Sequence, residues 1–286
     1  MREIAYAKIN LGLKVLGERA DGYHTVDMIM QTVSLCDWLD FSAAPGLEVS
    51  TNMPGLPCDA SNLVYKAAIA MSQALDKKPE VKIHLTKRIF LAAGLAGGSA
   101  DAAAVLRGLN NFWQAHLTLH ELEKIGATLG SDVPFCLAGG TARATGRGEI
   151  LEELPAVPEL WLVLIKPKSL NVATACVYKN FSPAKVTREV DIAALVAALR
   201  SKNRESLLQN LGNDLESVTL PYYPLLTTIK QAMLLAGAEA TLMSGSGPTI
   251  FAIAASQEKA KQLAKAAEKF DNIDVVVAHT IQRGKI

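Results

Sequence analysis

Strand-like apolar runs occupy residues 5–15, 28–35, 38–42 and 47–51, with Gly, Pro and Asp between them, so the chain is predicted to open on strands. The period then changes. Leu63, Ala67, Ala70 and Leu75 recur at helical spacing behind Ser61 and Asn62, either of which can cap a helix. A further strand is predicted over 81–86, and the glycine-rich segment 92–101 follows it. Beyond that segment Ala102, Val105, Leu106, Leu109, Phe112 and Trp113 mark one apolar face of a long helix. Thr118 with Glu121 three residues on makes a capping-box pattern for another helix, ending within 126–130.

Residues 152–159 lack periodicity and carry prolines that would break either kind of element, which makes them a linker. Two domains are therefore expected, 1–154 and 155–286. The second half reads as a buried strand at 161–165, helices at 192–199 and 225–235, strands at 241–243 and 249–253, a helix over 256–270 and a strand at 275–279. The alternation indicates an α+β fold.

At 286 residues, 50% apolar and 20% charged, the chain can build two cores and is not disordered or fibrous. The net charge of +1 excludes bulk attraction to nucleic acid or an anionic membrane, so any phosphate site must be local. Cys36, Cys58, Cys136 and Cys176 are scattered, with no CxxC pair, and read as reduced thiols of a cytoplasmic protein. Charges in the first eight residues and the lack of an apolar run near the ~20 residues of a membrane span argue against export or anchoring.

The glycine segment can cradle phosphate oxygens on backbone N–H groups at a helix start, although such a turn is also an ordinary tight connection. It is not a Walker A loop, since no Gly-Lys-Ser/Thr occurs, and neither a dinucleotide fingerprint nor a G-x-S-x-G elbow can be read around Ser99 or Ser246. Residues 244–249 form a small-residue loop between two strands, able to approach a ligand or simply to turn a hairpin. Lys8 and Asn10 project to one side of an otherwise apolar strand, as a site pair or as an edge residue and its neighbour. Asp132 is either a site carboxylate or the N-cap of a short helix. His116 and His120 have no third ligand arranged with them and read as surface residues.

Taken together, Ala5-Tyr6-Ala7-Lys8-Ile9-Asn10-Leu11, residues 93–103 and Ser244-Gly245-Ser246-Gly247-Pro248-Thr249 resemble the three motifs of the GHMP kinases, in that family's order and spacing. Within the superfamily, Lys8-Ile9-Asn10-Leu11 followed by Arg19-Ala20-Asp21-Gly22-Tyr23-His24 is similar to the diphosphocytidyl-methylerythritol kinases. So are Gly130-Ser131-Asp132-Val133-Pro134-Phe135, Gly139-Gly140-Thr141-Ala142 and Gly146-Arg147-Gly148-Glu149. Two departures are Phe90, where the family usually has proline, and Ala96, where many members have glycine. Ala96 should then avoid a backbone conformation reserved for glycine.

The resemblance implies a ribosomal-protein-S5-like N-terminal α/β domain, a ferredoxin-like C-terminal domain and an active site between them. It implies ATP with Mg²⁺, the nucleotide lying on Asn62, Leu63, Val64, Ala93, Gly94, Leu95, Ala96, Gly97, Gly98, Ser99, Ala100 and Asp101, with Ser99 as a metal or phosphate contact. Asp132 becomes the general base and Lys8 its electrostatic partner. Asn10, Tyr23, His24, Thr174 and Tyr178 become contacts to the acceptor, 4-diphosphocytidyl-2-C-methyl-D-erythritol, in the non-mevalonate route to isoprenoids. A small-molecule substrate, no nucleic acid, no membrane and a monomer or homodimer are expected. The rivals are a homoserine or phosphomevalonate type of GHMP kinase and a non-catalytic ligand sensor of the same fold.

Overall fold

The first apolar runs fold into one long hairpin. β1 (Arg2–Glu18) and β2 (His24–Ser42) pair antiparallel along nearly their whole length in the computed structural model, which describes residues 1–284. The separate runs at 28–35 and 38–42 are thus a single strand. Register shifts interrupt the pairing between Tyr6 and Lys8, Asn10 and Gly12, and Val15 and Gly17. Bulges re-aim side chains. Ala7, Ile9 and Leu11 go into the core, while the Lys8 and Asn10 side chains meet each other beside a cavity.

β3 (Leu47–Thr51) runs parallel to β4 (Val81–Thr86), joined to it through α1 (Leu63–Ala74), and β4 pairs with β2. Asn62 caps α1 by accepting from the Val64 amide at 2.9 Å. α2 (Gly97–Phe112) starts inside the glycine segment, so Gly97, Gly98 and Ser99 form a helix's first turn rather than a loop before it. α3 (Leu119–Leu129) carries the predicted Thr118–Glu121 capping box, and α4 (Val133–Ala138) follows directly. β5 (Thr141–Thr145) and β6 (Ile150–Glu153) form a hairpin against β2, which shortens the expected linker at its start. These strands are short and half polar. Their pairing comes from the β2 edge, not from any apolar run of their own.

The second sheet begins with β7 (Trp161–Pro167). α5 (Thr174–Lys179), α6 (Ile192–Arg200), α7 (Arg204–Asn210), β8 (Gly212–Asn213), α8 (Glu216–Tyr222) and α9 (Pro224–Leu235) lead to β9 (Ala240–Met243) and β10 (Ile250–Ala254). Then α10 (Gln257–Ala267) returns to β11 (Ile273–His279). The order β11-β7-β10-β9, antiparallel throughout, is that of a ferredoxin-like βαββαβ unit with extra helices in its first crossover.

The halves interlock. β8 adds in parallel to β1, giving the first sheet the path β3-β4-β2-β1-β8 with β5 and β6 branching from β2. α6 packs behind this junction, where a Cβ on Gly12 would fall 2.5 Å from Leu195 Cδ1. After β11 the Ile281 amide donates to Thr32 O at 2.9 Å, tying the segment just beyond β11 to β2. The expected division after residue 154 lies between β6 and β7; the last two residues of the range 155–286 lie outside the described residues. Among the described residues no helix is long and apolar enough to cross a membrane.

Candidate active site

A cavity of about 1080 Å³ opens between the two halves, bounded by β1, the glycine segment, the start of α4, the β5–β6 turn and α5. On its floor the Lys8 ammonium donates to Asn10 Oδ1 at 2.8 Å and stands 3.8 Å from Asp132 Oδ2. The Lys8 side chain is 6% exposed and that of Asp132 29%, so the lysine is held in the wall while the carboxylate faces the space. Asn10 is aligned in turn by donating to Met28 Sδ at 3.2 Å. Asp132 sits at the N-cap position of α4, but in helical backbone geometry (φ −83°, ψ −11°) and with no capping hydrogen bond. An N-cap aspartate normally spends its carboxylate on the helix. Here the carboxylate is left for Lys8.

The glycine segment is held against both halves. The Lys8 amide donates to Leu95 O at 3.1 Å, and the Ser244 hydroxyl donates to Gly94 O at 2.9 Å. Gly94 is obligatory: its φ is +74°, and a Cβ there would lie 2.1 Å from Ser244 O. Ala92 and Ala96 also take left-handed backbone, with φ of 47° and 54°. The expectation that Ala96 avoids the glycine-type conformation is thus overturned, because the tertiary contacts of the turn outweigh a left-handed cost of roughly 1–2 kcal/mol. Ala96→Gly is expected to stabilise the protein by about 0.5–1 kcal/mol, that cost less the greater chain entropy of glycine. A thermal melt should rise by roughly 1–4 °C.

Behind the segment, Lys87 is enclosed between Asp37 and Asp101, its ammonium donating to Asp37 Oδ2 at 2.5 Å and Asp101 Oδ2 at 2.6 Å. Asp37 Oδ1 also accepts from the amides of Arg88 and Ile89. Burial pushes the Asp101 carboxyl up to about 8 against the pull of Lys87, with the Asp37 charge adding to the rise.

The far end of the cavity is aromatic. His24 stands 5.3 Å from the Tyr178 ring and 6.5 Å, edge-on, from Phe181. Tyr23 is exposed, with the Arg147 guanidinium 5.1 Å over its ring. Burial raises the Tyr178 hydroxyl well above its ordinary range, and the Asp132 charge adds to this. Thr174 Oγ1 and Ser246 Oγ meet at 2.9 Å, joining α5 to the loop between β9 and β10.

Residues 62–140 match the GHMP kinases N terminal domain, and residues 195–272 the GHMP kinases C terminal. The 4-diphosphocytidyl-2-C-methyl-D-erythritol kinase of Exiguobacterium sibiricum is 47% identical over 275 residues, covering 96% of each chain. The protein of that name from Moorella thermoacetica is 49% identical over 91% of this chain and 92% of its own. A crystal structure of 4-(cytidine 5'-diphospho)-2C-methyl-D-erythritol kinase superposes with a TM-score of 0.82 at 33% identity, covering 98% of this chain and 100% of that one. This chain belongs to the 4-diphosphocytidyl-2-C-methyl-D-erythritol kinase family of GHMP kinases. The homoserine kinase of Cytophaga hutchinsonii, with a TM-score of 0.71 at 24% identity, shares the fold.

The GHMP kinase motifs converge on the one cavity. Lys8, Asn10, Tyr23, His24, Leu63, Ala93, Gly94, Ala96, Gly97, Gly98, Ser99, Asp132, Thr174 and Tyr178 all line it. Five expected nucleotide contacts do not. Asn62 caps α1 from outside, Val64, Leu95 and Ala100 are buried beneath the surface, and Asp101 is turned inward to Lys87. Phe90 lines the cavity half-buried, in the position where relatives were expected to carry proline. Sequence reasoning missed Lys87, Arg147 and Phe181. Arg147 lay inside a quoted motif and Phe181 three residues past Tyr178, whereas Lys87 gave no local signal.

Proposed function

We propose that this chain transfers the γ-phosphoryl group of ATP to the 2-hydroxyl of 4-diphosphocytidyl-2-C-methyl-D-erythritol. The observation that carries the reading is the Lys8–Asp132 pair at 3.8 Å, in one cavity with the glycine segment and the aromatic end. Asp132 accepts the proton of the acceptor hydroxyl, and Lys8, 3.8 Å from it, meets charge developing on the transferring group. The triphosphate lies on the amides at the start of α2, with Leu63 beside the base and ribose. Asn62, Val64, Leu95, Ala100 and Asp101 support this subsite from behind. Tyr23 and Tyr178 stack the cytosine, His24 reads its polar edge, and Asn10 and Thr174 reach the diphosphate and erythritol.

Ser99 lines the cavity, and a hydroxyl there suits Mg²⁺, which keeps several waters and takes its other ligands from substrate phosphates. Ser99 would hold it, and when bound it neutralises phosphate charge. We further propose a division into domains 1–154 and 155–286 and a cytoplasmic location.

A homoserine or mevalonate acceptor has no base to occupy the Tyr23, His24 and Tyr178 end. The test is ATP consumption with each acceptor in turn. Turnover with the cytidyl compound alone is expected; phosphorylation of homoserine or mevalonate instead would overturn the acceptor assignment.

A further inference from the structure

Three of the five residues from Ala92 to Ala96 are in left-handed backbone, and two of these are alanines. Such a turn persists only where its surroundings over-determine it. Two braces are plain, from the Lys8 amide to Leu95 O and from Ser244 Oγ to Gly94 O, and both grip the turn's middle. Neither fixes its downstream end, where Gly97 to Ser99 begin α2.

Under that end lies Lys87, 2% exposed, its ammonium shared by Asp37 on β2 and Asp101 in the first turns of α2. A Cβ on Gly97 would fall 3.1 Å from Lys87 Nζ and 3.0 Å from Ile89 Cγ2, so the backbone rests on this cluster. One ammonium between two buried carboxyl groups, with Asp101 Oδ1 left without a partner among the described residues, is not an arrangement that stability alone favours. What it supplies is a fixed distance from the sheet to the helix start.

We propose that Lys87, with Asp37 and Asp101, is the positioning device that holds the first turn of α2 in nucleotide-binding geometry. The proposal rests on the reading of the glycine segment as the triphosphate subsite. Lys87 borders the cavity but is only 2% exposed, so the role proposed for it is to hold the backbone rather than to contact the nucleotide. Its loss should therefore change ATP affinity without changing the acceptor's.

The test separates this role from stability by removing all three charges together, since a buried ionic cluster replaced as a whole can be nearly neutral for folding. In Lys87→Met/Asp37→Asn/Asp101→Leu, KM for ATP is expected to rise about tenfold, equivalent to about 1.4 kcal/mol. KM for the acceptor should stay within about twofold. A folded triple variant, checked by its melt, with wild-type KM for ATP overturns the proposal. So does an equal rise for both substrates. Should the triple variant not fold, Asp101→Asn, which removes one clamp and keeps the shape, must raise KM for ATP alone by about threefold; an unchanged value overturns the proposal. If the wild-type protein shows no saturable ATP binding, the subsite reading fails first, and the brace with it.

Discussion

With Asp132 as the proposed general base, Asp132→Asn is expected to lower kcat by ~10²–10⁴-fold, the range in which positioned general bases act, and to leave KM for ATP within about threefold. Asparagine keeps the size of the side chain but cannot take the acceptor's proton. The local fold does not depend on the carboxylate, because Asp132 makes no capping bond to α4 and, among the described residues, its one charged partner is Lys8 at 3.8 Å. Steady-state kinetics in both substrates, with calorimetry of ATP binding, measures the split. A variant that turns over at the wild-type rate would remove Asp132 from the chemistry. One that loses ATP binding would make it a nucleotide contact.

Lys87→Met is expected to have the largest effect on stability. Deleting the cation leaves the buried Asp37 without its counter-ion, beside the Asp101 carboxyl, and breaking a buried ion pair costs about 3–5 kcal/mol. For a chain of this size that is roughly 10 °C in a thermal melt. The deficit should depend on pH in a definite sense. The Asp101 carboxyl, raised from an ordinary 3.8 to about 8, stabilises the fold through its protonated form. That contribution is complete below the ordinary value and lost as pH rises through about 8. Without Lys87 the neutral form is favoured further, so the gap between variant and wild type should narrow from about pH 9 toward about pH 5. A gap that widens on acidification would show that the cluster is not a charge-limited one.

Elements with a strong period were legible in the chain. The helical faces of α1, α2 and α10, the cap at Asn62 and the box at Thr118 are local matters, decided by residues within one or two turns of each other. The β5–β6 hairpin, α5 and β8 were not. Each is short, carries little apolar period and owes its form to a partner distant in sequence, as Gly212 and Asn213 do to Gly12 and Leu13. The glycine segment was found by composition, yet its conformation was misjudged at Ala96. Left-handed alanine is set by Ser244, Lys8 and the packing beneath, not by alanine's own preference.

From the sequence alone came the family resemblance, the α+β class and the principal chemical groups: Lys8, Asp132, the glycine segment and the aromatic pair at Tyr23 and His24. These are residue types at short spacings, and such information survives without coordinates. The tertiary structure alone decided which of them meet. Bulges in β1 turn Lys8 toward Asp132, 124 positions along the chain. Long-range packing seals Lys87 between Asp37 and Asp101 and turns Asp101 away from the cavity it had been expected to line. Ion pairing and burial of this kind depend on distance in space, which sequence separation does not record.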